Sequence, residues 1–304
     1  MKYYTKYWRI ARRINTEQLH KGRFSQLDFS ESDLFHLDIG KRGTVLFLGY
    51  YSKEGIDLAF HKYGVYKKLS KKGFKNIITD LDTRDAFKHK IALYHEKKHR
   101  DNLVIELVVR KTYCKVEMPW KCDLNGKFYP ALAIDWLLIQ NIFGDFTKQR
   151  PRLPGQKYPG LGFSHIVLEL LLIICWRLNL SGLINVPEHY HNAYLYSKAF
   201  YYFDPDEQAR FQALKKTFKN YPLDKISWGI DWGCVIDLNC NAPFTWIAKE
   251  QIIPLEKELK RLFQSKIYKE YVLQNEGNYK FAFDDKKYIE YRNKVSVKKM
   301  EKCI

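Results

Sequence analysis

Residues 154–162 read Pro-Gly-Gln-Lys-Tyr-Pro-Gly-Leu-Gly and run straight into a long apolar stretch, residues 163–180. A loop of this kind turns backbone N–H groups outward at the start of a helix. Those donors, with the positive end of the helix dipole behind them, suit a diphosphate. Gly160 and Gly162 carry no side chain that would hold a phosphate away from the backbone. Proton-handling residues flank this loop. Asp135 is the one acid in the apolar run 128–142, where loss of water would raise its pKa toward that of a working base; a hydrogen-bonded acid at a strand bulge is the other reading. His189 and His191 can relay protons through water, with an ordinary pKa of about 6.5, or they are the polar residues that begin a helix. Tyr196, with Tyr194 as the alternative, can supply a proton, although in a chain with 22 tyrosines either can equally serve packing.

The elements that must hold these residues follow from periodicity. Residues 44–51 read as a strand and 53–72 as a helix, which Gly73 ends; residues 74–81 read as a second strand, with Asp82-Thr83 capping a helix that runs to Tyr94. Residues 102–112 are dense in β-branched side chains and predict a strand, as does the apolar run 128–142. Three prolines and four glycines make residues 144–162 a loop. The long helix then spans 163–180, followed by a short strand at 183–186, a helix at 188–198 and a strand at 200–203. Beyond it, helical spacing recurs at 207–219 and 250–271, with a β-like run at 226–238. Near the start, residues 30–35 resemble a helix capped by Ser30.

The order strand, glycine loop, long helix, short strand, helix, strand resembles that of the GNAT N-acetyltransferase superfamily. Residues 156–162 resemble the loop that grips the pyrophosphate of acetyl-CoA, with Lys157 standing three places before Gly160 where the family has Gln or Arg, and Gln156 just ahead of it. Residues 191–200, His-Asn-Ala-Tyr-Leu-Tyr-Ser-Lys-Ala-Phe, resemble the family's following Asn, Ala, Tyr and Phe helix. The resemblance implies an α/β fold with a mixed central sheet flanked by helices, carried by residues 75–204, with an extension at 1–74 packed on that core and an α/β extension at 205–304. It implies an acyl-CoA-dependent N-acyltransferase, most simply one that moves an acetyl group from acetyl-CoA to an amine. Gln156, Lys157, Gly160, Leu161, Gly162, Phe163 and Asn192 would hold the cofactor. Tyr196 would protonate the leaving thiolate, with Asp135 and His189 as the basic groups.

Composition leaves other classes open. Lys and Arg exceed Asp and Glu by 18, a surplus that attracts polyanions, and 16% aromatic residues could stack bases. A basic nucleic-acid-binding protein is therefore the competing reading, a solvated lysine-rich surface is the plainer one, and a catalytically inactive scaffold of the same fold is a third. The last hundred residues would cover an acceptor cleft, pair two chains or form a small domain. No Gly-x-Ser-x-Gly, His-Glu-x-x-His or Gly-Lys-Ser/Thr motif occurs, so serine hydrolase, zincin and P-loop chemistry lack a nucleus. The six cysteines form no CxxC pair, so no metal site is expected, and a thiol inside an apolar helical run suits a reducing compartment. Residues 166–176 are too short, and carry Glu169, to cross a bilayer that needs about 20 apolar residues. With no secretory signal read at the N-terminus, a cytoplasmic location is expected.

Overall fold

In the computed structural model, which describes residues 5–20 and 46–300, the chain forms two compact units of mixed α/β structure. The helix start expected at residues 30–35 lies outside the described residues. The first unit comprises Met1–Cys114, Phe128–Asp145 and Tyr158–Ile184. Its strands, neighbours in chain order, are β1 (Ile77–Asp82), β2 (Lys88–His95), β3 (Leu103–Lys115), β4 (Phe128–Ile139) and β5 (Gly182–Asn185). The first three are antiparallel, with Asp82 opposite Lys90 and Lys88 opposite Arg110. Gln140 N–H donates to the Val104 carbonyl at 2.9 Å near one end of β3, and the Cys114 thiol donates to the Tyr129 carbonyl at 3.6 Å near the other, so β4 returns antiparallel. Ser181 N–H donates to the Pro130 carbonyl at 2.7 Å. The beginnings of β4 and β5 thus lie side by side, and the two strands run parallel, as strands joined through a helix do.

Alternation decides which face of this sheet is dry. His89, Ile91 and Leu93 are buried, as are Ile105, Leu107 and Val109, while Lys88, Lys90, Glu106 and Arg110 point the other way into ion pairs. The helices of this unit are α1 (Thr5–Arg13), α2 (Thr16–Leu19), α3 (Lys53–Lys62), α4 (Val65–Ser70) and α5 (Ser164–Arg177). In α5 the side chains of Ile166, Leu168, Leu171, Leu172, Ile173 and Cys175 are buried, each stabilising the fold by about 1.5–3 kcal/mol for the larger aliphatics. Burial pushes the Cys175 thiol up to about 12, which makes it a small apolar group and no nucleophile. Glu169, 1% exposed, accepts from Trp8 Nε1–H at 2.6 Å, which ties α1 to α5. Ser52 caps α3 by accepting from Gly55 N–H at 3.0 Å, and its own hydroxyl donates to the Leu19 carbonyl at 3.1 Å.

The second unit comprises Lys115–Lys127, Phe146–Lys157 and Asn185–Ile304. It holds α6 (Tyr190–Tyr196), β6 (Tyr201–Tyr202), α7 (Pro205–Thr217), α8 (Leu223–Asp231), β7 (Val235–Asp237), β8 (Ala242–Pro243), β9 (Gln251–Pro254), α9 (Lys257–Gln264), α10 (Lys266–Glu276), β10 (Phe281–Phe283) and α11 (Asp285–Met300). β6 pairs antiparallel with β9, and β7 lies between β10 and β8 in a small antiparallel sheet. The core is aromatic: Tyr190, Tyr202, Phe211, Phe218, Phe244 and Phe281 are buried together with Leu214, Ile226 and Ile230.

Several elements differ from the sequence reading. Residues 46–51 form a tight bend closed by a Phe47–Tyr51 bridge. The helix expected from Asp82 to Tyr94 is a turn followed by β2, because Asp85 Oδ1 accepts from the amides of Phe87 and Lys88 and reverses the chain. The β-like run 226–238 begins as α8, whose buried Ile226 and Ile230 are four apart; Gly233, at φ 65°, ends it before β7. Residues 250–271 divide into β9, α9 and α10, with Ser265 capping α10 through Tyr268 N–H at 3.1 Å.

Candidate functional site

The glycine loop of the first unit grows out of the end of β4. Asn141 N–H donates to the Pro159 carbonyl at 2.7 Å, and a Cβ placed on Gly160 would lie 3.8 Å from the Ile139 carbonyl. Leu161 and Phe163, 2% and 7% exposed, anchor the loop in the core while Gly160 and Gly162 stay at the surface. Gly162 has φ 73°, the left-handed region that favours glycine. Among the described residues nothing accepts a hydrogen bond from the amides of Gly160, Leu161, Gly162, Phe163 or Ser164. No acidic residue stands in the first turn of α5, so its positive end is uncompensated. The Lys72 ammonium lies 5.8 Å from the centre of the Phe163 ring. His165 is held below the usual imidazole range by partial burial and by the charge of Lys68.

Four residues make up β5; counted from the Ser181–Pro130 bond, it comes level with about Asp135 at equal rise in both strands. Residues 136–139 of β4 extend past its end. Asp135 pairs with Lys88, and Lys88 shares its face of β2 with Ala92 and Tyr94. Leu138 packs against Ala92, Tyr94 and Leu103. There the pairing of β2 with β3 shifts register, Leu93 standing opposite Ile105 and Tyr94 opposite Leu103.

Asp135 itself is not the desolvated acid that its apolar run suggested. Its carboxylate accepts from Arg110 Nε–H at 3.0 Å and lies 3.6 Å from Lys88 Nζ, on the charged face of the sheet. Arg110 and Lys88 were legible only through the two-residue alternation of β3 and β2, which the helical reading of residues 82–94 concealed.

The second unit carries the remaining residues. Gln156 holds its own turn: its Oε1 accepts from Leu153 N–H at 3.1 Å and its carbonyl from Arg152 Nε–H at 2.7 Å. Lys157 is exposed beside it. A Cβ on Gly155 would come within 2.8 Å of His189 Nε2, so the His189 ring lies over this turn. His189 and His191 are stacked, centroids 5.3 Å apart and planes at 13°. His191 is 3% exposed, its Nδ1 has no partner among the described residues, and burial followed by the His189 charge draws it down to about 4. Asn192 is half-buried on α6. Tyr196, at the end of α6, meets Phe200 edge-on with ring centroids 6.3 Å apart. Tyr194, 39% exposed, lies over Lys215, whose Nζ donates to Ser197 Oγ at 3.1 Å. Among the described residues no group of three or more His, Cys, Asp or Glu could hold a metal ion, and no helix is long and apolar enough to cross a membrane. In comparison with known proteins, no family model matches the chain and no curated protein matches it.

Proposed function

We propose that the chain is an acyl-CoA-dependent N-acyltransferase, acetyl-CoA being the simplest donor, with the cofactor pyrophosphate received by the backbone amides of residues 160–164. One observation carries the reading: these successive amides have no acceptor among the described residues and stand at the uncompensated positive end of α5, where an anion is favoured. The Lys72 charge adds to the field. The part of β4 beyond β5, ahead of the Asn141–Pro159 bond, supports it further, since a strand edge that is open among the described residues can hydrogen-bond an extended amide-bearing chain such as pantetheine. In the proposed reaction a neutral amine attacks the thioester carbonyl, the tetrahedral intermediate collapses, and the thiolate leaves with a proton. Tyr196 is the proposed acid. His189 is preferred over Asp135 as the base, because Asp135 is tied to two cations.

Gly160 provides the test. Its φ is not positive and a Cβ there makes only an ordinary contact, so Gly160→Leu should melt like the parent while covering the amides. Calorimetric affinity for acetyl-CoA should fall by about tenfold or more, the loss of one or two charge-assisted hydrogen bonds. Equal affinity of parent and variant, or no binding at millimolar acetyl-CoA, removes the reading.

A second reading has its own observation. Trp228 and Trp232 stack at 5.1 Å, Trp232 and Tyr291 at 6.0 Å, and Lys294 lies 5.5 Å from the centre of the Tyr291 ring, an aromatic and basic surface of the sort on which bases of single-stranded nucleic acid stack. Binding of a labelled oligonucleotide that weakens steeply with salt and is lost in Trp232→Ala would favour it; indifference to the oligonucleotide would dismiss it.

A further inference from the structure

Among the described residues the three most exposed aromatic side chains are Phe87, Tyr113 and Phe128, at 77%, 70% and 65%. They fall at one end of three strands that are neighbours in the sheet, β2, β3 and β4. Register brings them together. Lys88 stands opposite Arg110, so Phe87, one residue earlier, stands beside Lys111 and is a diagonal neighbour of Tyr113. On the other side Val116 N–H donates to the Lys127 carbonyl at 3.1 Å, which makes Phe128 a second diagonal neighbour of Tyr113 and puts both on one face. Diagonal neighbours stand about 7–8 Å apart, so the three side chains form a row with Tyr113 at its centre. None of the three makes a ring contact, and the Tyr113 hydroxyl has no partner among the described residues.

The exposure has a structural origin. His89 and Val109, paired across β2 and β3, are buried on this same face, where Phe47 of the 46–51 bend lies 5.8 Å from the His89 ring. Two residues further along β3 the cover stops at Gly49, whose missing Cβ would lie 3.8 Å from Lys111 Nζ. Lys111 is exposed and forms no ion pair among the described residues. Asp85, in the adjoining turn, is engaged by the Phe87 and Lys88 amides.

We propose that this face binds single-stranded nucleic acid, with unpaired bases stacked on Phe87, Tyr113 and Phe128 and a backbone phosphate beside Lys111. A sheet that presents a row of aromatic rings with a free ammonium among them matches the two parts of a single strand, flat bases and anionic linkages. The large apolar side chains exposed at this end of β2, β3 and β4 are all aromatic, whereas a face made for lipid or for a protein core would add aliphatic ones. The net charge of +18 assists the approach of a polyanion. All four residues belong to the first unit, so the site is distinct from the Trp232 surface of the second, and it stands whether or not the chain binds CoA.

Fluorescence anisotropy of a labelled oligothymidylate of about twelve nucleotides, titrated with the full chain at about 50 mM salt, is the test. The single strand should bind, and the same strand paired with oligoadenylate should bind more weakly by about tenfold or more, its bases being hidden in the stack. Tyr113→Ala should weaken single-strand binding by about tenfold, the loss of one stacked base, while melting like the parent because the side chain is exposed. Tyr113→Phe keeps the ring and should bind like the parent. The proposal is overturned if the parent does not bind the single strand up to about 100 µM, or if the duplex binds equally well. It also falls if Tyr113→Ala binds like the parent, the pattern expected were the Trp232 surface alone in use. Phosphatidylserine vesicles that bind the parent and not Tyr113→Ala, with no binding of the oligonucleotide, would reassign the face to a membrane.

Discussion

Two side chains set the residue-scale account of the proposed chemistry. Tyr196 ends α6 and is asked only to give a proton to a leaving thiolate. Tyr196→Phe should therefore lower kcat by about 10²-fold or more, within the range of general acid catalysis, with acetyl-CoA affinity unchanged. Calorimetry alongside steady-state rates separates the two, and an unchanged kcat would remove Tyr196 from the mechanism. His191 makes a different prediction, about stability. Burial and the His189 charge lower its folded pKa to about 4, so below about pH 6.5 the unfolded chain takes up a proton that the folded chain refuses. Its contribution is complete above that pH and is lost as pH falls toward 4, by at most about 3 kcal/mol. Urea midpoints of the parent and His191→Gln should converge across this window, the parent losing more than the variant; parallel pH profiles would contradict the burial argument.

At the scale of elements, the run from β3 through β4, α5, β5 and α6 to β6 was legible because each piece has a strong period or a clear stop. Long β-branched runs, the proline and glycine loop and the apolar α5 leave few alternatives. What was hidden is contextual. β2 shows helical spacing on paper, and its identity follows from the Asp85 turn and from pairing with β1 and β3. The break between α9 and α10 depends on one serine cap. The glycine loop at the start of α5 was legible in the sequence, whereas the register shift between β2 and β3 and the cations on Asp135 required the sheet. Close packing of elements gives a direct test at Gly55, where an added Cβ would lie 2.1 Å from the Leu19 carbonyl at the junction of α2 and α3. Gly55→Ala should cost about 2 kcal/mol or more. Gly277→Ala, where a Cβ meets nothing within 4 Å and φ is −65°, should be near neutral. Equal urea midpoints for the two variants would show that the α2 and α3 contact is looser than described.

For the molecule as a whole, the net charge of +18 acts at long range on any anionic ligand and so does not by itself distinguish CoA from nucleic acid. It does require salt dependence. Acetyl-CoA affinity should fall severalfold between about 50 and 500 mM salt, as surface charges are screened over a few ångströms, and a flat response would confine binding to uncharged contacts. The proposal is more local: a pyrophosphate would be held by amides that have no acceptor among the described residues. Amide hydrogen exchange read residue by residue with and without acetyl-CoA tests it most directly. Exchange should slow at residues 160–164 on addition of the cofactor, with little change in α11. Binding that leaves the exchange of those amides untouched would contradict it.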